Sequence, residues 1–431
     1  MKHSLLLLIF SLLFGFAAMA QTGSQSFVRA DGMHLTENGK AFRFLGANMW
    51  YAMHLASEIQ EGNRTRLCAE FDRLKGLGIN TVRLLAVSEE PAPDDPRAVR
   101  PALVQPGGTL NDTLLSGLDY VLSELGKRNM RAVLSLTNTY SWSGGLAHYL
   151  RETGDSIAPM QAEELPEAYA ARVARFYANT EAVKLYQNTV QTIVNRTNGI
   201  TGKAYKNDPT ILAWELCNEP QTTGGAMNGN FISWAMSTAA IIRKADPNHL
   251  ISLGTAGIRH CADNERIYEM LYTTGAFGFA SLQLQPLRWD WAHKSRTLED
   301  LPNTYLKATD YYEQHRRIAQ NANLPLVLTA FAYPRDRHFF TPDSPAFYRK
   351  AFYEFVMSLF TASVASNDVL SGGFVSAWSG ENRADDFVWR LGVLTGDNPC
   401  DPQGLYSVFA TDTPCLETLK EGAKVLLPSQ Q

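Results

Sequence analysis

The chain of 431 residues holds only five cysteines, Cys68, Cys217, Cys261, Cys400 and Cys415. These are too few, and odd in number, for a disulfide framework to organise a fold of this size. Cys400 and Cys415 are close enough in sequence for one local bridge, whereas Cys217 lies inside an apolar run and reads as a small buried residue. The nine histidines are scattered, with no Cys/His spacing of the metal-binding kind, so neither zinc nor any other cofactor is expected. Blocks of like charge are missing as well. With 19% charged residues and a net charge of -4, nothing marks a nucleic-acid or membrane-surface partner, and a neutral ligand fits best. No internal repeat, low-complexity tract or second domain is visible.

Long apolar runs are also absent. The first twenty residues have a short basic start, an apolar core from Leu5 to Phe16 and Ala18-Met19-Ala20 as a small-x-small site. That core is shorter than the roughly 20 residues of a membrane span, and the pattern is that of a secretory signal cut after Ala20. The chain then divides into a signal (1–20), a polar linker (21–26) and one domain (27–431). The mature protein is expected to be secreted or periplasmic, free of the membrane, and a monomer.

What is present is alternation. Asn38-Gly39 between alternating runs marks a short N-terminal β-hairpin. Strand patterns follow at 41–47, 80–87, 131–137, 211–217, 250–254, 278–284, 326–331 and 373–378. Helical patterns fall between them, at 64–75, 115–128, 165–196, 231–244, 305–320 and 345–365. Eight strands alternating with helices predict an α/β fold, a single (β/α)8 TIM barrel, whose working groups gather at the carboxyl ends of the strands.

The fourth strand ends most informatively. ILAWELCNEP is an apolar run that stops at Asn218, Glu219 and Pro220, so a buried strand delivers a carboxylate to the rim. Other strand ends carry Asn48 and Trp50, Arg83, Asn138 and Trp142, Gln283 and Gln285 with Trp289 and Trp291, and Trp378 with Glu381. Flat aromatic faces stack on sugar rings, while amides, Arg and carboxylates reach hydroxyls, so this rim suits a neutral polysaccharide. A buried Arg83 needs a counter-ion, and Glu219 is a candidate for it.

The chain resembles glycoside hydrolase family five, in its β-1,4-mannanase branch. The resemblance runs through FRFLGANMWY, NTVRLLAV, Asn138 with Trp142-Ser143-Gly144-Gly145, NDPTILAWELCNEP, Trp289-Asp290-Trp291, Phe331 to Asp336, Trp378 to Glu381 and GDNPCDPQGLYSVFATDT. It implies a retaining glycosidase, in which one carboxylic acid protonates the leaving oxygen and a second carboxylate about 5 Å away attacks the anomeric carbon. By position Glu219 is the acid/base, Asn218 holds the sugar 2-hydroxyl and Trp378 floors the subsite at the cleavage point. The family's seventh strand ends in a Glu-Glu-Phe-Gly type sequence, where this chain has Thr329-Ala330-Phe331-Ala332. Ala330 therefore stands at the nucleophile's position, and a methyl group cannot attack a sugar. Further differences accompany it: Gln283-Leu284-Gln285-Pro286 replaces a His-x-Trp-Pro run, and Gly254 to Gly257 replaces a stretch where Glu is common. The resemblance thus implies an exported mannanase-type protein of low or absent turnover, or, as an alternative, a non-catalytic binder of β-mannan or a related neutral polysaccharide.

Overall fold

A computed structural model describes residues 26–427 apart from 162–163, 294–295, 337–340, 342 and 385; the expected signal and most of the linker lie outside the described residues. Strands β1 (Val28–Asp31), β2 (His34–Glu37) and β3 (Lys40–Ala41) form a small antiparallel sheet. Asn38-Gly39 does turn the chain between β2 and β3, but a second turn at Gly32 makes the expected two-stranded ribbon three-stranded. Val28 and Leu35 of this sheet pack with Phe44, Val133, Leu212, Phe279 and Val327, closing the amino-terminal end of the main barrel.

That barrel is built from β4 (Phe44–Asn48), β5 (Thr81–Leu85), β6 (Arg131–Ser135), β7 (Ile211–Glu215), β8 (Leu250–Ser252), β9 (Ala280–Leu284), β10 (Leu326–Phe331) and β11 (Leu370–Val375). All pair in parallel, in the order β8-β7-β6-β5-β4-β11-β10-β9. The remaining seam is bridged by Gly278 N–H to Ile251 O (2.8 Å) and Gln283 N–H to Ala256 O (3.0 Å). Nearly every strand residue is buried, because helices cover one face and the barrel interior the other, which is why the strands read as continuous apolar runs. Within β10 the register slips against both neighbours around Ala330, so the backbone bulges where the strand reaches the rim.

Two expectations are corrected. The single helix over 165–196 is three pieces, Pro166–Val173, a 3-10 turn Ala174–Ala178 and Thr180–Val194. Asn179 breaks it by capping the last piece, its side chain accepting from Ala182 N–H at 3.0 Å. The eighth barrel strand begins at Leu370, three residues before the expected 373. Gly372, left outside the expected strand, and Gly373 both lie inside it, where close packing requires glycine: a Cβ would meet the Phe44 ring at 2.3 Å and Leu328 at 2.9 Å. The strand consequently ends at Val375, and Trp378 falls in a separate element, β12 (Trp378–Gly380), paired with β13 (Val408–Phe409). The local bridge allowed for Cys400 and Cys415 is not formed, and all five cysteines are free thiols.

Candidate active site

At the carboxyl ends of the barrel strands a cleft enclosing about 710 Å³, its open mouth included, is lined by Asn48, Trp50, Arg83, Trp142, Asn218, Glu219, Gln285 and Ala330 among others. Sequence reasoning therefore brought together eight of the residues that form it. Glu219 reaches the cleft on strained backbone, with φ at 56°, a left-handed conformation costing a non-glycine residue of order 1–3 kcal/mol. Its surroundings over-determine that conformation: Glu219 N–H donates to Gly254 O at 3.2 Å and Thr139 Oγ1 donates to Glu219 O at 2.8 Å. Gly254 is itself at φ +85°, and a Cβ on it would lie 2.0 Å from Cys217 O and 2.8 Å from the Glu215 side chain. Gly254→Ala is expected to cost about 2–5 kcal/mol from the left-handed backbone and the clash together, read as a lowered denaturation midpoint.

Below the cleft floor lies a polar relay. Arg83 is bound to Glu215, with Nε 3.0 and 3.1 Å from the two carboxylate oxygens and Nη2 2.5 Å from Oε1. Ser135 Oγ adds a third donor to Glu215 at 2.6 Å. Glu219 is therefore not the hydrogen-bonded partner of Arg83, because Glu215, pointing inward from the end of β7, takes its place. The rest of the guanidinium donates to Asn48 Oδ1 (3.0 Å) and Asn218 Oδ1 (2.8 Å), which fixes both amides at the rim. Asn218 Nδ2 donates to Asn138 Oδ1 at 2.9 Å, and Asn138 Nδ2 to Ser143 Oγ at 2.9 Å. Asn138 is fully buried, so it orients Asn218 and does not itself line the cleft.

Five further expectations need similar correction. Gln283 is buried behind Gln285, whose Nε2 donates to its Oε1 at 2.6 Å. Trp289 and Trp291 turn away from the cleft, packing on each other (centroids 4.9 Å) and on Tyr311, with Arg259 over the Trp289 ring at 5.4 Å. Trp378 is wholly buried and donates from Nε1 to Glu70 Oε2 at 3.0 Å, so it floors no subsite. Glu381 is exposed on the outside of the rim, paired with Arg73. The aromatic wall is instead Trp50 and Trp142, edge to face at 5.1 Å, with Trp50 Nε1 held by Asp397 O at 3.3 Å.

Sequence reasoning missed Tyr140, Arg288, Ser376, Asp397, Asp401 and Tyr406, which also line it. Each stands a few residues from a position that drew attention, or inside the GDNPCDPQGLYSVF segment, but no spacing pattern singles them out. Tyr140 Oη donates to Glu219 Oε2 at 2.9 Å and Arg288 Nη1 to the same oxygen at 3.1 Å. The other arm of Arg288 faces Asp401 at 3.4 Å. Burial pushes the Glu219 carboxyl up, but Arg288 beside it, then His260 and the Tyr140 hydroxyl, outweigh burial and hold it below the usual range. Burial also drives His260 down to about 4, so at neutral pH the cations acting on Glu219 are Arg288 and, behind it, Arg83.

The other cleft carboxylates are spoken for. Asp397 accepts from the backbone N–H groups of Gly404, Tyr406 and Ser407, and burial raises it to about 6. Asp401 accepts from Arg288 and Asn398, and burial raises it too. β10 presents only the Ala330 methyl, three strands around the barrel from β7.

Behind the wall, Glu89 is wholly enclosed. It accepts from Thr137 Oγ1 (2.6 Å), Gly145 N–H (3.0 Å) and Tyr149 Oη (3.1 Å), tying down the segment that carries Trp142. Burial pushes its carboxyl from 4.5 up to about 7. An acid raised by folding stabilises below its unfolded value and loses that contribution as pH rises through the folded one. Stability should therefore fall between about pH 4.5 and 7, at about 1.4 kcal/mol per pH unit. Melting curves of Glu89→Gln across this window should be flatter than those of the parent.

A profile of the family described as "GH family 5 beta-mannosidase-like" matches residues 25–430. Among solved structures, a Glu-to-Ala mutant of the glycoside hydrolase family 5 mannosidase from Rhizomucor miehei, in complex with mannosyl-fructose, superposes with a TM-score of 0.84 at 29% identity, covering 93% of this chain and 97% of that one. Mannan endo-1,4-beta-mannosidase 7 of Arabidopsis thaliana is 25% identical over 89% of this chain and 81% of its own length. Mannan endo-1,4-beta-mannosidase 5 of Solanum lycopersicum is 31% identical over 54% of this chain, and the match spans about half, 51%, of that protein. Barrel order, the Arg83–Glu215 relay and the Asn218-Glu219 pair at the fourth strand are thus accompanied by similarity across nearly the whole described chain, and the protein belongs to the GH family 5 beta-mannosidase-like family.

Proposed function

We propose that this protein is an exported member of the family that recognises β-mannosides of mannan-type glycans, with turnover by the retaining route low or absent, and that it serves as a glycan-binding protein. The observation that carries this reading is the Ala330 methyl at the end of β10, in the same cleft as Glu219 and Asn218. Double displacement needs a second, free carboxylate, and the cleft's other two, Asp401 and Asp397, are held by Arg288 and by backbone N–H groups. Recognition has what it needs: the Trp50–Trp142 wall, Asn48 and Asn218 fixed by Arg83, and Gln285. The mannosyl-fructose held by the Rhizomucor mannosidase supports mannose as the unit recognised.

Calorimetry with mannobiose to mannohexaose, beside gluco- and xylo-oligosaccharides, tests this. Micromolar to millimolar binding of the manno series without release of reducing sugar is expected. Absence of heat with every series, or release that Glu219→Gln abolishes, would overturn it. Export is tested by amino-terminal sequencing of the mature protein, expected to start at Gln21.

A further inference from the structure

Past Arg288 the cleft adjoins a second chamber of about 1390 Å³, its open mouth included, and the two share Tyr140, Arg288, Asn398, Asp401 and Tyr406. Leu287, Pro402 and Leu405 give the chamber an apolar wall. Arg97 and Arg259 also line it, both half-buried. The Arg97 guanidinium donates to the Met160 carbonyl and pairs with no carboxylate among the described residues. Arg259 has less still. Its guanidinium lies over the rings of Trp289 at 5.4 Å and Trp291 at 6.0 Å, and it donates to no acceptor among the described residues. The N–H groups of a guanidinium form a planar fork that matches a carboxylate, so a half-buried arginine held on aromatic faces without an acceptor is one prepared half of such a pair.

The carboxylates around the chamber do not supply the other half. Asp401 faces Arg288 at 3.4 Å, and Glu164 is bound to Arg172 at 2.7 Å. Glu167 and Asp290 are exposed, where water and salt screen them. Arg259 stands on the side of the chamber nearest the cleft, since it and Arg288 both disfavour the protonated form of His260. We infer that the chamber binds a uronic acid joined to the mannosyl unit held in the cleft, with Arg259 donating to its carboxylate through both prongs of the fork. This rests on the mannoside recognition proposed for the cleft. The apolar wall favours such a pair by keeping the local dielectric low. The net charge of -4, from which a neutral ligand was expected, averages over the whole surface and does not register two guanidinium groups in one chamber.

The test is calorimetry with two β-linked disaccharides, mannosyl-glucuronic acid and mannosyl-glucose, which differ by a carboxylate in place of a hydroxymethyl group. In dilute buffer the acid should bind about tenfold or more tighter than its neutral twin, and high salt should narrow the difference. Arg259→Gln should erase the preference, whereas Arg259→Lys, which keeps the charge and loses the fork, should retain part of it. Equal affinity for the two sugars in the parent, with mannobiose still registering, would overturn the inference and leave mannoside recognition standing. A preference that survives Arg259→Gln in protein that melts like the parent would also overturn it. If that variant melts lower, Arg259→Lys decides, and an undiminished preference there would remove Arg259 from its role. Binding of the acid without mannobiose would uphold the chamber and sink the mannan-type reading, and no heat with any of the three sugars would sink both.

Discussion

Ala330→Glu should raise hydrolysis of dinitrophenyl β-mannoside by roughly 10³-fold or more over the parent, since removing a nucleophile from a hydrolase costs losses of this order and beyond. Dinitrophenolate leaves without a proton, so this substrate asks only for the missing attack and is indifferent to the state of Glu219. Ala330 lies on the bulged segment of β10 and faces the cleft, so the introduced carboxylate starts from backbone already directed at the ligand. Gain on manno-oligosaccharides should be much smaller, because their leaving oxygen needs an acid and Arg288 holds Glu219 as a base. A second carboxylate in the cleft should also raise the Glu219 carboxyl through like-charge repulsion, visible as an upward shift of its titration between parent and variant. No gain on the activated substrate, in a variant that still binds mannobiose, would show that more than the nucleophile separates this cleft from a hydrolase.

Arg83→Met should destabilise the fold by about 3–5 kcal/mol, the usual cost of leaving a buried charge without its partner. Glu215 is wholly enclosed, and three of its hydrogen bonds come from this one guanidinium. The same substitution frees Asn48 and Asn218, so affinity for manno-oligosaccharides should fall more than the loss of either amide alone would cause. Denaturant midpoints and calorimetry on the same preparation read both effects. A loss below about 1 kcal/mol would mean that Glu215 finds another partner or takes a proton.

Most of the fold was legible because a buried parallel strand writes a continuous apolar run, and seven of the eight runs lay over the observed strands. The eighth strand failed at Gly372-Gly373, where ring packing and not chain flexibility demands glycine. That three-residue displacement carried Trp378 to the wrong place, since a residue assigned to a strand end inherits a direction toward the cleft. Trp289 and Trp291 failed differently: an aromatic residue has the same letter whether it faces a sugar or a neighbouring tyrosine, and only Tyr311 decides. Arg83 was correctly expected to need an anion, yet Glu215 ends β7 pointing inward at it, while Glu219 lies four residues beyond on left-handed backbone that the sequence does not announce. Arg288 and Asp401, on segments outside the barrel strands, left no periodic trace at all.

The slip of register about Ala330 has a genetic consequence. The backbone at the rim of β10 is bulged whatever side chain it carries, so a substitution at 330 changes what faces the cleft without asking the strand to rearrange, and GCA or GCG for alanine is one nucleotide from a glutamate codon. With either of those codons, mutation would offer glutamate at this position repeatedly in any large population. An alanine that stays at 330 across related sequences would then mark a position under selection, which sequencing of close relatives reads directly.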